Sequence, residues 1–300
     1  MKRRYMMMKA SSVVLSCAAT VTPLLAAGSR GGAAQPPLHA ADFSVFEKET
    51  TLDLFLLVGQ SNMKGRGLID PKPTTHERNL FFHVREQQWY VSRDPLHSAG
   101  TPDLIDGSDN AGTGPGMSFA MTLLDKYPEM AIGLVPGAAG GAPINSYKTE
   151  LFDRSLKLMA DGRQQSPLKT EIKAILWLQG ESDATESGYV TYEEKLLDLV
   201  DRYRKALKNP ELPFIACTVG SFIHPHKRFT RSREINKILL GLPSKRAHTA
   251  CIDARDLKVT TGDKLHYCKD AQIEIGKRFA AAYLKLSAVK GGKKQSDTVH

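Results

Sequence analysis

From residue 52 onward, short apolar runs alternate with longer amphipathic segments. The apolar runs are rich in Val, Ile, Leu and Phe at successive positions, a pattern typical of strands buried on both faces. They occupy residues 52–58, 131–136, 172–178, 213–219 and, more briefly, 248–253. Apolar residues at helical spacing predict helices over residues 116–127, 146–159, 192–207, 232–242 and 270–286. This alternation predicts a three-layer α/β/α sandwich, doubly wound around a mainly parallel sheet.

The stretch between His76 and Asn110 does not follow the alternation. Residues 79–92 have the pattern of a β-hairpin, and the Gly/Asp-rich remainder is expected to form a long loop. Residues 45–287 contain no linker or internal repeat, which indicates one domain, and residues 288–300 are expected to form a basic flexible tail. In such a sheet, ligands bind outside the carboxyl ends of the strands. Reactive side chains are therefore expected in the segments that directly follow strands.

The composition is that of an ordinary globular protein. With 300 residues, 41% hydrophobic and 24% charged, the chain is neither a small disulfide scaffold nor a disordered polymer. A net charge of +9 raises the question of a polyanionic partner. However, residues 1–27 carry four of the 41 basic residues and none of the 32 acidic ones, so the remainder has a charge of only +5. We expect no nucleic-acid partner.

The N-terminus has the layout of a secretory signal peptide. A basic start is followed by an apolar stretch over residues 10–27 that ends in small residues, which predicts cleavage after Ala27 or as late as Ala34. The Arg3-Arg4 pair is compatible with a twin-arginine signal. Pro23 and several polar residues disfavour the alternative of a membrane anchor. The mature protein is thus expected to be secreted or periplasmic, without stable membrane insertion.

The cysteines suggest neither a metal centre nor a disulfide framework. Cys17 is expected to leave with the leader, so that Cys217, Cys251 and Cys268 remain, an odd number without the spacing of metal ligands. At most one disulfide can form among them, and the sequence does not decide whether it does. No metal or other cofactor is predicted.

Ser61 is the first candidate for chemistry. It follows the first predicted strand directly, in Gly-Gln-Ser-Asn-Met, and so lies at the sheet edge where a helix begins. Such a position suits a nucleophile, although a helix-capping serine has the same pattern. The segment does not match the Gly-x-Ser-x-Gly elbow of α/β-hydrolases, and the Ser-x-x-Lys formed with Lys64 lacks the Lys-Thr-Gly element of penicillin-recognising enzymes.

Asp263 and His266 supply a candidate base and its orienting acid after the last predicted strand. Three-residue spacing brings the carboxylate beside the imidazole, so that Asp263 can hold Nδ1–H and leave Nε2 to accept a serine proton. Glu181, after the third predicted strand, is a second possible partner for His266. Asp263 is favoured because its spacing requires no tertiary coincidence.

Two further segments can supply oxyanion donors. Gln179 follows the third predicted strand in Trp-Leu-Gln-Gly-Glu-Ser-Asp, and its amide can point towards an oxyanion. Gly116 lies at the start of a predicted helix, where its N–H has no helical acceptor; Gly114 is the second choice. The N–H of Ser61 completes the predicted set.

These segments, GQSNM, GPGMSFA, LWLQGESDA and DKLHY, in this order resemble the sequence blocks of the SGNH-hydrolase superfamily. More narrowly, they resemble its sialate O-acetylesterase and family 6 carbohydrate esterase (acetylxylan esterase) branch, over about residues 50–285. The resemblance implies a flavodoxin-like fold and cofactor-free hydrolysis of O-acetyl esters on sugars. It further implies a triad of Ser61, Asp263 and His266, with Gly116 and Gln179 at the oxyanion.

The expected function is that of a secreted serine esterase that removes acetyl groups from an acetylated glycan through an acetyl-serine intermediate. Two alternatives remain open: a non-catalytic glycan-binding protein of the same fold, and a lipid or thioester hydrolase. The sequence names neither the sugar nor the acetylated hydroxyl, and it leaves the oligomeric state open.

Overall fold

The computed structural model describes residues 37–98, 110–224 and 226–295, with side chains except those of residues 98 and 289–295. The described residues group into one compact unit built on a seven-stranded sheet. The strands are β1 (Thr51–Gly59), β2 (Asn79–His83), β3 (Gln88–Val91), β4 (Ala131–Pro136), β5 (Lys169–Leu178), β6 (Phe214–Cys217) and β7 (Thr249–Ile252). The α-helices are α1 (Ser61–Lys64), α2 (Pro115–Lys126), α3 (Glu150–Gln164), α4 (Tyr192–Ala206), α5 (Ser232–Lys245) and α6 (Lys269–Gln295).

The strand order is β3-β2-β4-β1-β5-β6-β7, and every neighbouring pair is parallel except β2 with β3. The chain adds strands on one side of β1 as far as β4 and then crosses to the other side with β5. The crevice outside the carboxyl ends of β1 and β5 is therefore at the point where the winding changes direction, which is where doubly wound folds bind ligands.

Both faces of the sheet are covered, as the apolar runs predict. In β1, Leu54 and Leu56 pack into one core, while Phe55 and Leu57 pack into the other. Helices α3, α4 and α5 cover the first face, and α2 and α6 cover the second. This arrangement is the predicted three-layer α/β/α sandwich, because a strand with two apolar faces is stable only between two layers of helices.

The predicted hairpin at residues 79–92 forms as β2 and β3, and it extends the main sheet because β2 pairs with β4. One helix is displaced from its predicted bounds. Residues 146–148 belong to a 3₁₀ turn, Ile144–Lys148, and helix α3 begins only at Glu150. The cause is tertiary: the Asp183 carboxylate accepts the N–H of Ile144 at 2.7 Å, which holds the turn against the loop that follows β5.

Several sequence predictions concern residues outside the described ranges. They are the signal peptide at residues 1–27, its later cleavage point at Ala34 and most of the predicted loop before Asn110. Of the predicted tail, residues 288–295 belong to the end of helix α6.

Candidate active site

Ser61 lies on a tight turn that the glycine before it makes possible. Gly59 ends β1 with φ of +137°, and a Cβ on it would lie 2.1 Å from the carbonyl oxygen of Leu178 on β5. Only glycine fits this close approach of two backbones. The chain then enters the one-turn helix α1, where the N–H of Lys64 donates to the carbonyl of Gln60. The hydroxyl of Ser61 is thereby held at the carboxyl edge of the sheet.

The structure brings Ser61, His266 and Asp263 into one hydrogen-bonded line. His266 Nε2 lies 2.8 Å from Ser61 Oγ, and His266 Nδ1 lies 2.6 Å from Asp263 Oδ2. Ser61 is 5% exposed, whereas the side chain of Asp263 is 47% exposed, so the line runs from the interior to the surface. An imidazole that donates from Nδ1 to a carboxylate has its Nε2 lone pair available to a serine hydroxyl.

Asp263 and His266, which are three residues apart, are brought together by a turn and not by a helix. Asp263 Oδ1 accepts the N–H groups of Leu265 and His266, each at 2.9 Å, while Oδ2 meets the imidazole. Positive φ angles at Gly262 (100°) and Lys264 (58°) give the loop its shape. A short aspartate side chain commonly binds the backbone two or three residues later in this way.

These contacts keep Asp263 ionised. Partial burial favours the neutral acid, but the hydrogen bonds from the His266 ring and from the two backbone amides outweigh it and lower the pKa of Asp263 to about 2. The carboxylate is thus charged at neutral pH and can stabilise an imidazolium at His266.

Glu181, the alternative acid, is fully buried and hydrogen-bonds Asn62 Nδ2 through its Oε1. Burial raises its pKa. The carboxylate within hydrogen-bonding distance of His266 Nδ1 is that of Asp263. Geometry therefore favours Asp263 over Glu181 as the orienting acid.

The amide of Gln179 does not point outward, contrary to the sequence-based expectation. The side chain is fully buried, and its Nε2 donates to the carbonyl of Ala142 at 3.0 Å and to Asp183 Oδ2 at 2.6 Å. Its Oε1 accepts from the Tyr192 hydroxyl at 3.0 Å. Both amide hydrogens are used, so in this structure Gln179 ties neighbouring loops together and presents no donor to an oxyanion.

The two glycines at the start of α2 differ in their free donors. The N–H of Gly114 donates to Asp94 Oδ1 at 3.4 Å, whereas none of the described residues supplies an acceptor for the N–H of Gly116. Gly114 also packs on the turn that carries Ser61, since a Cβ on it would lie 3.0 Å from the Met63 carbonyl oxygen. Between the two glycines, these contacts favour Gly116 as the donor.

Sequence reasoning missed the residues on either side of Ser61. Gln60 Oε1 accepts the N–H of Ser182 at 3.2 Å, and Asn62 bonds both Glu181 and the His266 loop. Both residues belong to the first sequence block, so their presence there was the available signal. The partners follow β5 and β7, more than a hundred residues away, and nothing local in the sequence indicates the pairing.

In residues 37–98, 110–224 and 226–295, no three His, Cys, Asp or Glu side chains form a group that could hold a metal ion. No helix in the same ranges has the length and apolar character needed to span a bilayer. Cys217, Cys251 and Cys268 are free thiols, and burial raises the pKa of Cys251 to about 12.

The doubly wound sheet, with the four sequence blocks placed on it, defines an SGNH hydrolase fold. A family model described as carbohydrate esterase, sialic acid-specific acetylesterase, matches residues 51–285. The chain belongs to this family, and it is a carbohydrate esterase in class.

Comparison with known proteins agrees with this assignment. A probable carbohydrate esterase of Arabidopsis thaliana is 30% identical over 253 residues, which cover 77% of this chain and 90% of the relative. Its X-ray structure superposes with a TM-score of 0.67 at 29% identity and covers 78% of this chain and 98% of that one. The crystal structure of NanS, at 16% identity, has a TM-score of 0.62 over 81% of this chain and 99% of its own, and so shows a shared fold.

Proposed function

We propose that this protein removes O-acetyl groups from carbohydrates through an acetyl intermediate on Ser61. The observation that carries the proposal is the unbroken series of hydrogen bonds from Ser61 Oγ through His266 to Asp263, at 2.8 and 2.6 Å. A serine hydroxyl is a weak nucleophile until an adjacent base takes its proton, and this arrangement supplies that base. The family described above supplies the ester class.

In the first step, His266 Nε2 takes the hydroxyl proton as Ser61 Oγ bonds to the acetyl carbonyl carbon. The carbonyl oxygen becomes an oxyanion, and the imidazolium is stabilised by the ionised Asp263. When the tetrahedral intermediate collapses, the bond to the sugar oxygen breaks. The proton on Nε2 passes to that oxygen, so that the sugar leaves as a neutral alcohol.

In the second step, water takes the place of the sugar. His266 removes a proton from the water as its oxygen attacks the acetyl carbon, and the bond to Ser61 Oγ then breaks. Ser61 recovers its proton from Nε2, and acetic acid is released. General base catalysis of this kind contributes about 10²–10⁴-fold in rate.

We propose the backbone N–H groups of Ser61 and Gly116 as the oxyanion donors. Both are at helix starts, and no described residue accepts a hydrogen bond from either. Donors that are already oriented require no reorganisation when the charge develops. Gln179 is not one of the proposed donors, because both hydrogens of its amide are donated to acceptors within the protein, and its role is to hold neighbouring loops together.

An acetylated sialic acid is the substrate suggested by the family description, and acetylated xylan is the alternative from the sequence resemblance. Acetate release from both, and from p-nitrophenyl acetate, tests the proposal, with Ser61→Ala and His266→Ala as controls. We expect both variants to lose nearly all activity. Full activity in Ser61→Ala would overturn the proposal. Binding of an acetylated glycan without acetate release would indicate a binding protein, and preference for long acyl chains a lipid or thioester hydrolase.

We also propose that the protein is exported. The support is the arrangement of the first 27 residues, with basic residues before an apolar stretch and small residues at its end. N-terminal sequencing of the protein from its native host is expected to start at Gly28 or as late as Gln35. A cytoplasmic protein with an intact Met1 would contradict export without affecting the proposed reaction.

A further inference from the structure

The side chain of Asn62 bridges the turn that carries Ser61, which we term the nucleophile turn, and the loop that carries His266. Asn62 Nδ2 donates to the carbonyl of Leu265 at 3.2 Å, and Asn62 Oδ1 accepts the N–H of Tyr267 at 3.1 Å. The partners are the residues immediately before and after His266. One amide group, adjacent to the serine, therefore holds the backbone on both sides of the imidazole.

The contacts of Asp263 cannot provide this connection. Asp263 bonds the ring and the backbone of His266, but it belongs to the same loop and moves with it. Its side chain is about half exposed. Asp263 thus sets the orientation of the imidazole within the loop, whereas the separation between Nε2 and Ser61 Oγ depends on what joins the loop to α1.

Glu181 makes a third contact that favours the same orientation of the Asn62 amide as the Leu265 carbonyl and the Tyr267 N–H. The Asn62 NH₂ group has two hydrogens: one is directed to the Leu265 carbonyl, and the other to Glu181 Oε1. Glu181 is fully buried, and its Oε2 has no hydrogen-bond partner among the described residues. In this contact Glu181 Oε1 accepts from the NH₂ end of the amide. The Oδ1 end faces the N–H of Tyr267, so all three contacts require the same orientation of the amide.

The rest of Asn62 is held as well. Its backbone carbonyl accepts from Gln272 Nε2 at 2.9 Å, which ties the nucleophile turn to helix α6. Asn62 is completely buried. A buried amide with all of these partners has one position available, which is the requirement for transmitting a fixed geometry between two loops.

We propose that Asn62 is a positioning residue that holds His266 opposite Ser61, and that the buried carboxyl group of Glu181 supports the Asn62 amide in the orientation this requires. The inference rests on the proposed function, because it assigns Ser61 and His266 their roles. A displacement of about 1 Å between reacting groups costs about 10²-fold in rate. Loss of the bridge is therefore expected to lower kcat with little change in KM.

The test is a pair of nearly isosteric substitutions and their combination. Asn62→Asp keeps an acceptor for Tyr267 but removes both donors and faces Glu181 with a second carboxyl group. We expect kcat for p-nitrophenyl acetate to fall by about 10²-fold with KM within about threefold. Glu181→Gln keeps an acceptor for Asn62, and kcat is expected to stay within about fivefold of the parent.

The double variant Asn62→Asp/Glu181→Gln provides the rescue. The introduced glutamine can donate to the introduced aspartate, so the hydrogen bond reforms with its direction reversed, and we expect kcat to recover about tenfold over Asn62→Asp. A residue with a merely structural role would lower the thermal midpoint without this recovery in kcat. Should Asn62→Asp not fold, Glu181→Leu decides, with an expected loss of about tenfold in kcat that Glu181→Gln does not show.

Two results overturn the inference: parental kcat in folded Asn62→Asp, or a double variant no more active than Asn62→Asp. If Asn62→Asp does not fold, equal kcat values in Glu181→Leu and Glu181→Gln overturn the inference. A loss of about 10⁴-fold in Glu181→Gln, with Asp263→Asn active, would make Glu181 the triad acid and also overturn it. Ser61→Ala and His266→Ala distinguish failure of the proposed function from failure of this inference. Activity in these two variants refutes the proposed function. If they are inactive while Asn62→Asp keeps the parental kcat, only the inference about Asn62 is refuted.

Discussion

Replacing Asp263 by asparagine is expected to reverse the proton positions on His266. In the parent, Oδ1 accepts two backbone N–H groups at 2.9 Å, and Oδ2 accepts from His266 Nδ1 at 2.6 Å. An asparagine has one oxygen, and the two backbone donors require it. Its NH₂ group then faces Nδ1, which must accept a hydrogen bond, so the ring proton moves to Nε2. Nε2 would face Ser61 Oγ at 2.8 Å without a lone pair.

The expected size of the effect follows from this change of tautomer. A triad histidine held in the wrong tautomer loses about 10⁴-fold in kcat, equivalent to about 5.5 kcal/mol of transition-state stabilisation. The effect on folding should be small, because Asp263 is half exposed and both backbone contacts have an acceptor in the variant. Loss of activity with an unchanged fold is therefore the expected signature.

The assay is steady-state acetate release at pH 7, with thermal unfolding to verify the fold. Asp256→Asn is the matched control, since it removes an exposed carboxylate that pairs with Arg278 on the surface. We expect that variant to keep parental kcat. If Asp263→Asn is folded and within tenfold of the parent, the tautomer reasoning is refuted and Asp263 is not the orienting acid.

Three other substitutions separate stability from chemistry. Gly59→Ala is expected to reduce the free energy of unfolding by more than about 2 kcal/mol, because its Cβ would lie 2.1 Å from the Leu178 carbonyl oxygen. Urea unfolding measures this loss, with Gly241→Ala as the control because nothing lies within 4 Å of a Cβ at that position. A loss in Gly59→Ala no larger than that in the control would contradict the prediction. Gln179→Ala is expected to reduce the free energy of unfolding by about 2–3 kcal/mol, because buried hydrogen bonds are lost, while kcat stays within tenfold of the parent. A 10²–10³-fold loss of kcat at an unchanged thermal midpoint would instead indicate that Gln179 is an oxyanion donor. Burial lowers the pKa of His97 from 6.5 to about 3, so its contribution to stability is present above pH 6.5 and is lost as the pH falls towards 3. Between pH 7 and pH 4, the free energy of unfolding of His97→Gln is therefore expected to fall by about 2–3 kcal/mol less than that of the parent. Urea unfolding at several pH values measures this, and the same pH dependence in both proteins would refute it.

The layers of the fold could be predicted because the responsible signals are local. Each predicted strand occurs in the sheet, since runs such as Leu54 to Val58 are apolar at successive positions and suit only a strand covered on both faces. The start of helix α3 could not be predicted in the same way. It depends on a hydrogen bond from Ile144 to Asp183, which is 39 residues further along the chain.

In the candidate site, too, the features set by local sequence could be predicted and those set by tertiary contacts could not. The pairing of Asp263 with His266 is a three-residue relation, and their meeting with Ser61 followed from the shared strand edge. The orientation of Gln179 was not predictable, because it depends on acceptors at Ala142 and Asp183 that only the folded chain brings together. An amide that follows a strand can face inward or outward, and the sequence alone does not distinguish the two.

The most direct test of the acetyl-serine pathway is the location of a covalent adduct. The full chain is treated with a p-nitrophenyl alkylphosphonate, which reacts with activated serines, and the modified peptide is identified by mass spectrometry. We expect one equivalent of phosphonate on Ser61, with labelling nearly abolished in His266→Ala. An enzyme that releases acetate while Ser61 remains unlabelled, or an adduct on another residue that accounts for inhibition, would contradict the account.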